Sequence, residues 1–190
     1  MLDELNTSLA LIVTQTKANA NYLLYILLIL WGVYFVNLLL NKKLLYLGII
    51  PRHLLGLPGI VFAPFLHADF NHLFFNSIPL LVLSNFLLVY SLPYFLYVTT
   101  LIIIISGFMT WCFAKSGIHV GASSVITGYW ALLVSNIYQQ GTATAIILGI
   151  VCLYYFIGIF YSIFPGKKMV SWEGHLFGLI AGIIVSYLVA

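Results

Sequence analysis

Three separated stretches of this chain carry side chains suited to acyl-transfer chemistry. The first, residues 67–76, holds His67, Asp69, His72 and Asn76. The second is Gly121-Ala122-Ser123-Ser124, and the third is Gly174-His175 followed by Gly178 and Gly182. A serine hydroxyl is a weak nucleophile alone and needs a base within hydrogen-bond reach. Ser123 is expected at a helix N-terminus, where free backbone N–H groups and the helix dipole favour developing negative charge. His175 can serve as its base. His72 and Asn76, four residues apart, share one face of a helix about one turn apart. They read as donors to an oxyanion, and one good donor of that kind contributes about 2.7–4 kcal/mol. Glu173 lies two positions before His175, on nearly the opposite side of a helix, and nothing in the sequence requires Asp69 to reach the imidazole. The pattern therefore permits a Ser–His dyad rather than a triad.

Each motif also has a plainer reading. Gly-x-Ser can be a small-residue helix contact, and His72 with Asn76 can be a structural bond between helices. His175, Gly178 and Gly182 fall on one stripe of a helix, as do Gly121, Ser124 and Gly128, and small residues on such stripes let helices approach closely. Ser123 points away from the second stripe. What favours chemistry is the conjunction: all three motifs open a long apolar segment, in order.

Those segments are membrane spans. Of 190 residues, 63% are hydrophobic and 6% charged, whereas a soluble domain carries about a quarter charged residues. So little charge cannot solvate a globular surface but suits a chain dissolved in lipid. The net charge of +3 is small and scattered, which argues against nucleic-acid binding. Cys112 and Cys152 sit in apolar runs and read as packing residues. The mixed residues before the first apolar run, and its length, argue against a cleavable signal. A span needs roughly 20 apolar residues. Six are expected: residues 22–40; two within 73–114, parted by Ser91-Leu92-Pro93 because proline disfavours helix before it; 121–138; 143–164, stopped by Pro165-Gly166-Lys167-Lys168; and 173 to the end. Residues 1–20 are expected to flank the bundle as an interfacial helix, leaving one domain over 21–190.

Residues 44–70 are apolar enough to suggest a seventh span. Arg52 would then lie near the bilayer centre at a cost of about 2.5–3.5 kcal/mol. Pro51, Pro58 and Pro64 would also break the helix. A loop partly sunk into the membrane fits better. The loops after spans one, three and five then share one face, which carries all 5 histidines together with Ser123.

These motifs resemble the rhomboid family of intramembrane serine proteases. The resemblance covers about residues 20–190, including Pro51-Arg52-His53, Gly56-Leu57 and Phe65-Leu66-His67 of the first loop. It implies an all-α six-helix membrane bundle and hydrolysis of peptide bonds in transmembrane segments of membrane-anchored substrates. Carried over by motif, Ser123 is the nucleophile and His175 the general base. His72, Asn76 and the Ser123 N–H line the oxyanion hole, and Gly121 keeps the space beside the nucleophile open. No cofactor or metal is implied, and the partners are transmembrane proteins and the bilayer. Two positions depart from the pattern: Ser124 stands where a glycine is usual, and Thr127 where an aromatic ring usually stacks on the histidine. An inactive relative that binds transmembrane helices is the alternative. A metal-dependent enzyme or carrier fits less well, because His67 and His72 are five apart and no His-Glu-x₂-His signature occurs. Orientation divides the indications. Lys42, Lys43, Arg52, Lys115, Lys167 and Lys168 would place the histidine-bearing face in the cytoplasm by the positive-inside rule; the resemblance implies the extracytoplasmic side of a bacterial cell membrane, and that is the expectation adopted.

Overall fold

The structure, a computed structural model, describes residues 2–164 and 172–189. The Pro165-Gly166-Lys167-Lys168 stop therefore lies outside the described residues. These form helices α1 (Leu2–Ala18), α2 (Ala20–Leu39), α3 (Gly59–Phe62), α4 (Phe70–Leu88), α5 (Leu92–Phe113), α6 (Ser123–Gln139), α7 (Ala143–Tyr161) and α8 (Trp172–Leu188). Three 3-10 turns, Lys43–Leu47, Leu54–Gly56 and Ala63–Phe65, punctuate the first loop. The architecture is an all-helical membrane bundle.

Helices α2, α4, α5 and α7 are long and apolar enough to cross a bilayer. Large apolar side chains such as Tyr25, Leu28, Phe35, Tyr154 and Tyr155 cover their outer surfaces, as lipid solvation requires. Helices α6 and α8 have 17 residues each, about 25 Å at the usual rise per residue and at the short end for a span. They form the centre. Residues 125–133 of α6 are buried on every side, the mark of an interior helix.

The closest packing in the bundle joins these two helices. A methyl group on Gly178 would land on the Ser124 carbonyl oxygen, and one on Gly182 on the Gly128 carbonyl oxygen. Both contacts advance together along the chain, so α6 and α8 run parallel with a shared register. The two small-residue stripes face each other.

Side-chain caps fix where the helices begin. Asp69 accepts from the His72 N–H at 2.9 Å, Ser91 from the Tyr94 N–H at 3.1 Å, and Thr142 from the Ala145 N–H at 3.2 Å. Each satisfies one of the donors that a helix start leaves open. Helix α4 thus starts at Phe70, and α6 starts at Ser123, two residues later than the expected span.

The first loop folds back on the bundle. Arg52 Nη1 donates to the carbonyls of Cys112, 3.2 Å, and Ala114, 2.7 Å. It caps the C-terminal end of α5, where the helix dipole favours a cation. The Trp111 indole N–H returns a bond to the His53 carbonyl at 2.9 Å. At the opposite end of the bundle, Asn85 bonds Asn19 and Thr16, which ties the end of α1 to α4.

Candidate active site

The backbone before Ser123 is held by the first loop. Ile49 and His119 exchange N–H···O bonds of 3.0 and 2.9 Å, and the Gly121 N–H donates to the Ala63 carbonyl at 2.9 Å. Gly121 adopts φ +116°, a conformation that side chains resist. A methyl group there would stand 2.6 Å from His72 Nε2 and 3.5 Å from Asn76 Nδ2. Only a glycine lets the loop pass this close to both groups. His72, Asn76 and the Gly121–Ser123 segment, distant in sequence, are therefore neighbours.

Helix α6 opens with no side-chain cap, unlike α4, α5 and α7. Its first-turn N–H groups, Ser123's included, are left for another acceptor. Ser123 is half-buried. It lines a cavity of about 30 Å³ with Thr110, His119, Gly121, Ser124 and Gly174, enough for one or two waters.

His175 is buried, 9% exposed, on the first turn of α8. Three residues before the Gly178–Ser124 contact, the parallel register brings it level with the Gly121–Ser123 segment. The His175 Nδ1 is 2.9 Å from the Ser162 carbonyl oxygen. A carbonyl can only accept, so Nδ1 carries the proton and Nε2 presents a free lone pair, the tautomer a general base needs. Ser123 Oγ and the imidazole are not hydrogen-bonded to each other in this structure. Such bonds are often loose in an empty site and tighten around substrate.

Neither acidic candidate serves the histidine. Glu173 Oε1 lies 3.7 Å from Lys115 Nζ, and Asp69 is engaged as the α4 cap. Thr127 is turned away as well: its hydroxyl donates to the Ser123 carbonyl at 2.6 Å. Among the described residues no aromatic ring stacks on His175, and the Ser162 carbonyl orients it instead. Ser124 is tolerated because it is its backbone, at Cα and the carbonyl, that Gly178 approaches.

Two participants escape sequence reasoning. His67, placed there in the first stretch but given no catalytic role, is 1% exposed. Its Nε2 lies 3.2 Å from Asn76 Nδ2 and accepts from the Ala122 N–H at 3.5 Å. The spacing of five residues from His72 gave no helical signal, because His67 precedes the helix. The Ser162 carbonyl carried no signal at all, since every residue has one. Among the described residues no three His, Cys, Asp or Glu side chains converge as metal ligands.

Comparison with known proteins identifies the family. Residues 51–190 match the Rhomboid domain family. The chain is 36% identical over 172 residues to uncharacterized proteins of Mycobacterium bovis and Mycobacterium tuberculosis, covering 85% of this chain and 71% of each relative. It is 36% identical over 142 residues to an uncharacterized protein of Mycobacterium leprae, covering 70% of this chain and 56% of that one. No solved structure matches the chain. With three-quarters of its length inside the matched domain, this chain is a member of the rhomboid family.

Proposed function

We propose that residues 21–190 form a six-span serine protease of the membrane, which hydrolyses peptide bonds in transmembrane segments of membrane-anchored substrates. The observation that carries this reading is the meeting of three elements at one end of the bundle. Gly121 lies against His72 and Asn76, and the α6–α8 register brings His175 level with Ser123. Ser123 Oγ attacks the scissile carbonyl carbon while His175 Nε2 takes its proton. The carbonyl oxygen becomes an oxyanion held by His72, Asn76 and the Ser123 N–H. His175 returns the proton to the departing amine as the C–N bond breaks, leaving an acyl-enzyme. Water, activated by the same imidazole, then releases the acid and restores the serine. The Nδ1 bond to Ser162 keeps the imidazole in the tautomer that can accept the first proton.

In this reading the active site faces the extracytoplasmic side and both chain ends face the cytoplasm. Substrate backbone must leave its helix to reach Ser123, so helix-weakening residues near the cleaved bond are expected. The test is processing of a membrane-anchored substrate by purified protein in liposomes. Wild type should cleave it and His175→Ala should not. A second reading, a helix-binding relative that does not cut, is favoured by the absent Ser123–His175 bond. Saturable capture of the substrate by wild type, with no cleavage product, would select it.

A further inference from the structure

His67 is the one buried histidine at this end of the bundle that the mechanism leaves without a task. It touches Asn76, His72 and the Ala122 backbone that leads into Ser123. Because the Ala122 backbone N–H can only donate, His67 Nε2 bears no proton and accepts. The Asn76 amide nitrogen, 3.2 Å away, must then donate to the same lone pair. That bond fixes which end of the amide faces the site: the nitrogen end, which also lies 3.5 Å from the space above Gly121. Rotating the amide by half a turn would set its oxygen against an unprotonated nitrogen. The imidazole also packs edge to face on His72, with ring centroids 5.0 Å apart and planes at 66°. One ring thus restrains both side-chain donors and the residue before the nucleophile.

We propose that His67 is a positioning residue of the catalytic centre, whose Nε2 ties the Asn76 amide on α4 to the Ala122 backbone that leads into α6. A core histidine with a purely structural task would need only to be buried and satisfied. Here Nδ1 is buried without a hydrogen-bond partner, while Nε2 serves two elements. The ring is held where the donor and nucleophile segments need a common anchor.

This inference rests on the protease reading, and a cycle of variants separates the two. Kinetics of substrate cleavage in liposomes are measured for wild type, His67→Leu, His67→Gln, Asn76→Ala and His67→Leu/Asn76→Ala, with Ser123→Ala as the blank. His67→Leu should lower kcat roughly 10²-fold with KM nearly unchanged, as misplacing one oxyanion donor does. His67→Gln, whose side-chain oxygen can accept in place of Nε2, should recover most of that loss. In the Asn76→Ala background His67→Leu should cost less than about fivefold more, because the group it orients is gone. Losses that multiply in the double variant, or a His67→Gln variant as impaired as His67→Leu, would overturn the positioning role while leaving the protease reading intact. Wild type no more active than Ser123→Ala would overturn both.

Discussion

His67 also makes this end of the bundle sensitive to acid. Burial first, and the neighbouring His72 second, lower its pKa from 6.5 to about 4; the Phe65 carbonyl and Asp69 pull the other way without offsetting burial. The unfolded chain therefore takes up a proton near the ordinary histidine pKa that the folded chain refuses until about pH 4. Stability contributed by the neutral ring is present above the unfolded pKa and is lost as pH falls from about 6.5 toward 4. The loss is on the order of 3 kcal/mol. Thermal midpoints in detergent across that window should fall more steeply for wild type than for His67→Gln; parallel slopes would refute the assignment. At the same scale, Asn76→Ala should lower kcat by about 10²–10³-fold with little change in KM, measured by substrate cleavage. Ser123, His175, His72 and Asn76 could be named as candidates from the sequence because their side-chain types suit the chemistry. The orienting partners could not. His67 acts across a helix boundary, and Ser162 acts through its backbone.

Helix boundaries followed from polar interruptions, and the caps Asp69, Ser91 and Thr142 mark where they fall. The central place of α6 could not be read, because hydropathy is the same for a helix against lipid and a helix against other helices. Its glycine stripe was the better guide. Gly178→Ala would drive a methyl into the Ser124 carbonyl and force α8 off α6. Overpacking of this kind costs roughly 1–3 kcal/mol, and here it also moves His175 from the nucleophile. The expected result is a lower thermal midpoint with activity lost. Gly158→Ala on α7, where a methyl meets nothing within 4 Å, should leave both unchanged. Equal behaviour of the two variants would contradict the proposed role of the α6–α8 contact.

At the scale of the whole molecule, the first loop is the part that sequence patterning described least well. Its prolines and Arg52 argued against a span, but its fold depends on distant partners: the end of α5 for Arg52, His119 for Ile49, and Gly121 for Ala63. Through these bonds the loop holds the segment that presents Ser123. Arg52→Ala should therefore loosen the loop and lower activity without dispersing the helices. Faster proteolysis confined to residues 44–69, with helical content retained, would register this. Topology is the other property of this scale. Reporter fusions to the two chain ends should both read cytoplasmic; two extracytoplasmic readings would place the active site in the cytoplasm, as the lysine distribution suggests.

A protease of this kind requires Ser123 to be an activated nucleophile. A serine-directed fluorophosphonate, applied to the membrane-embedded protein and followed by peptide mass mapping, reads this directly. The expected result is a single adduct on Ser123, absent in Ser123→Ala and strongly reduced in His175→Ala. An adduct on another residue, or labelling undiminished when His175 is removed, would contradict it.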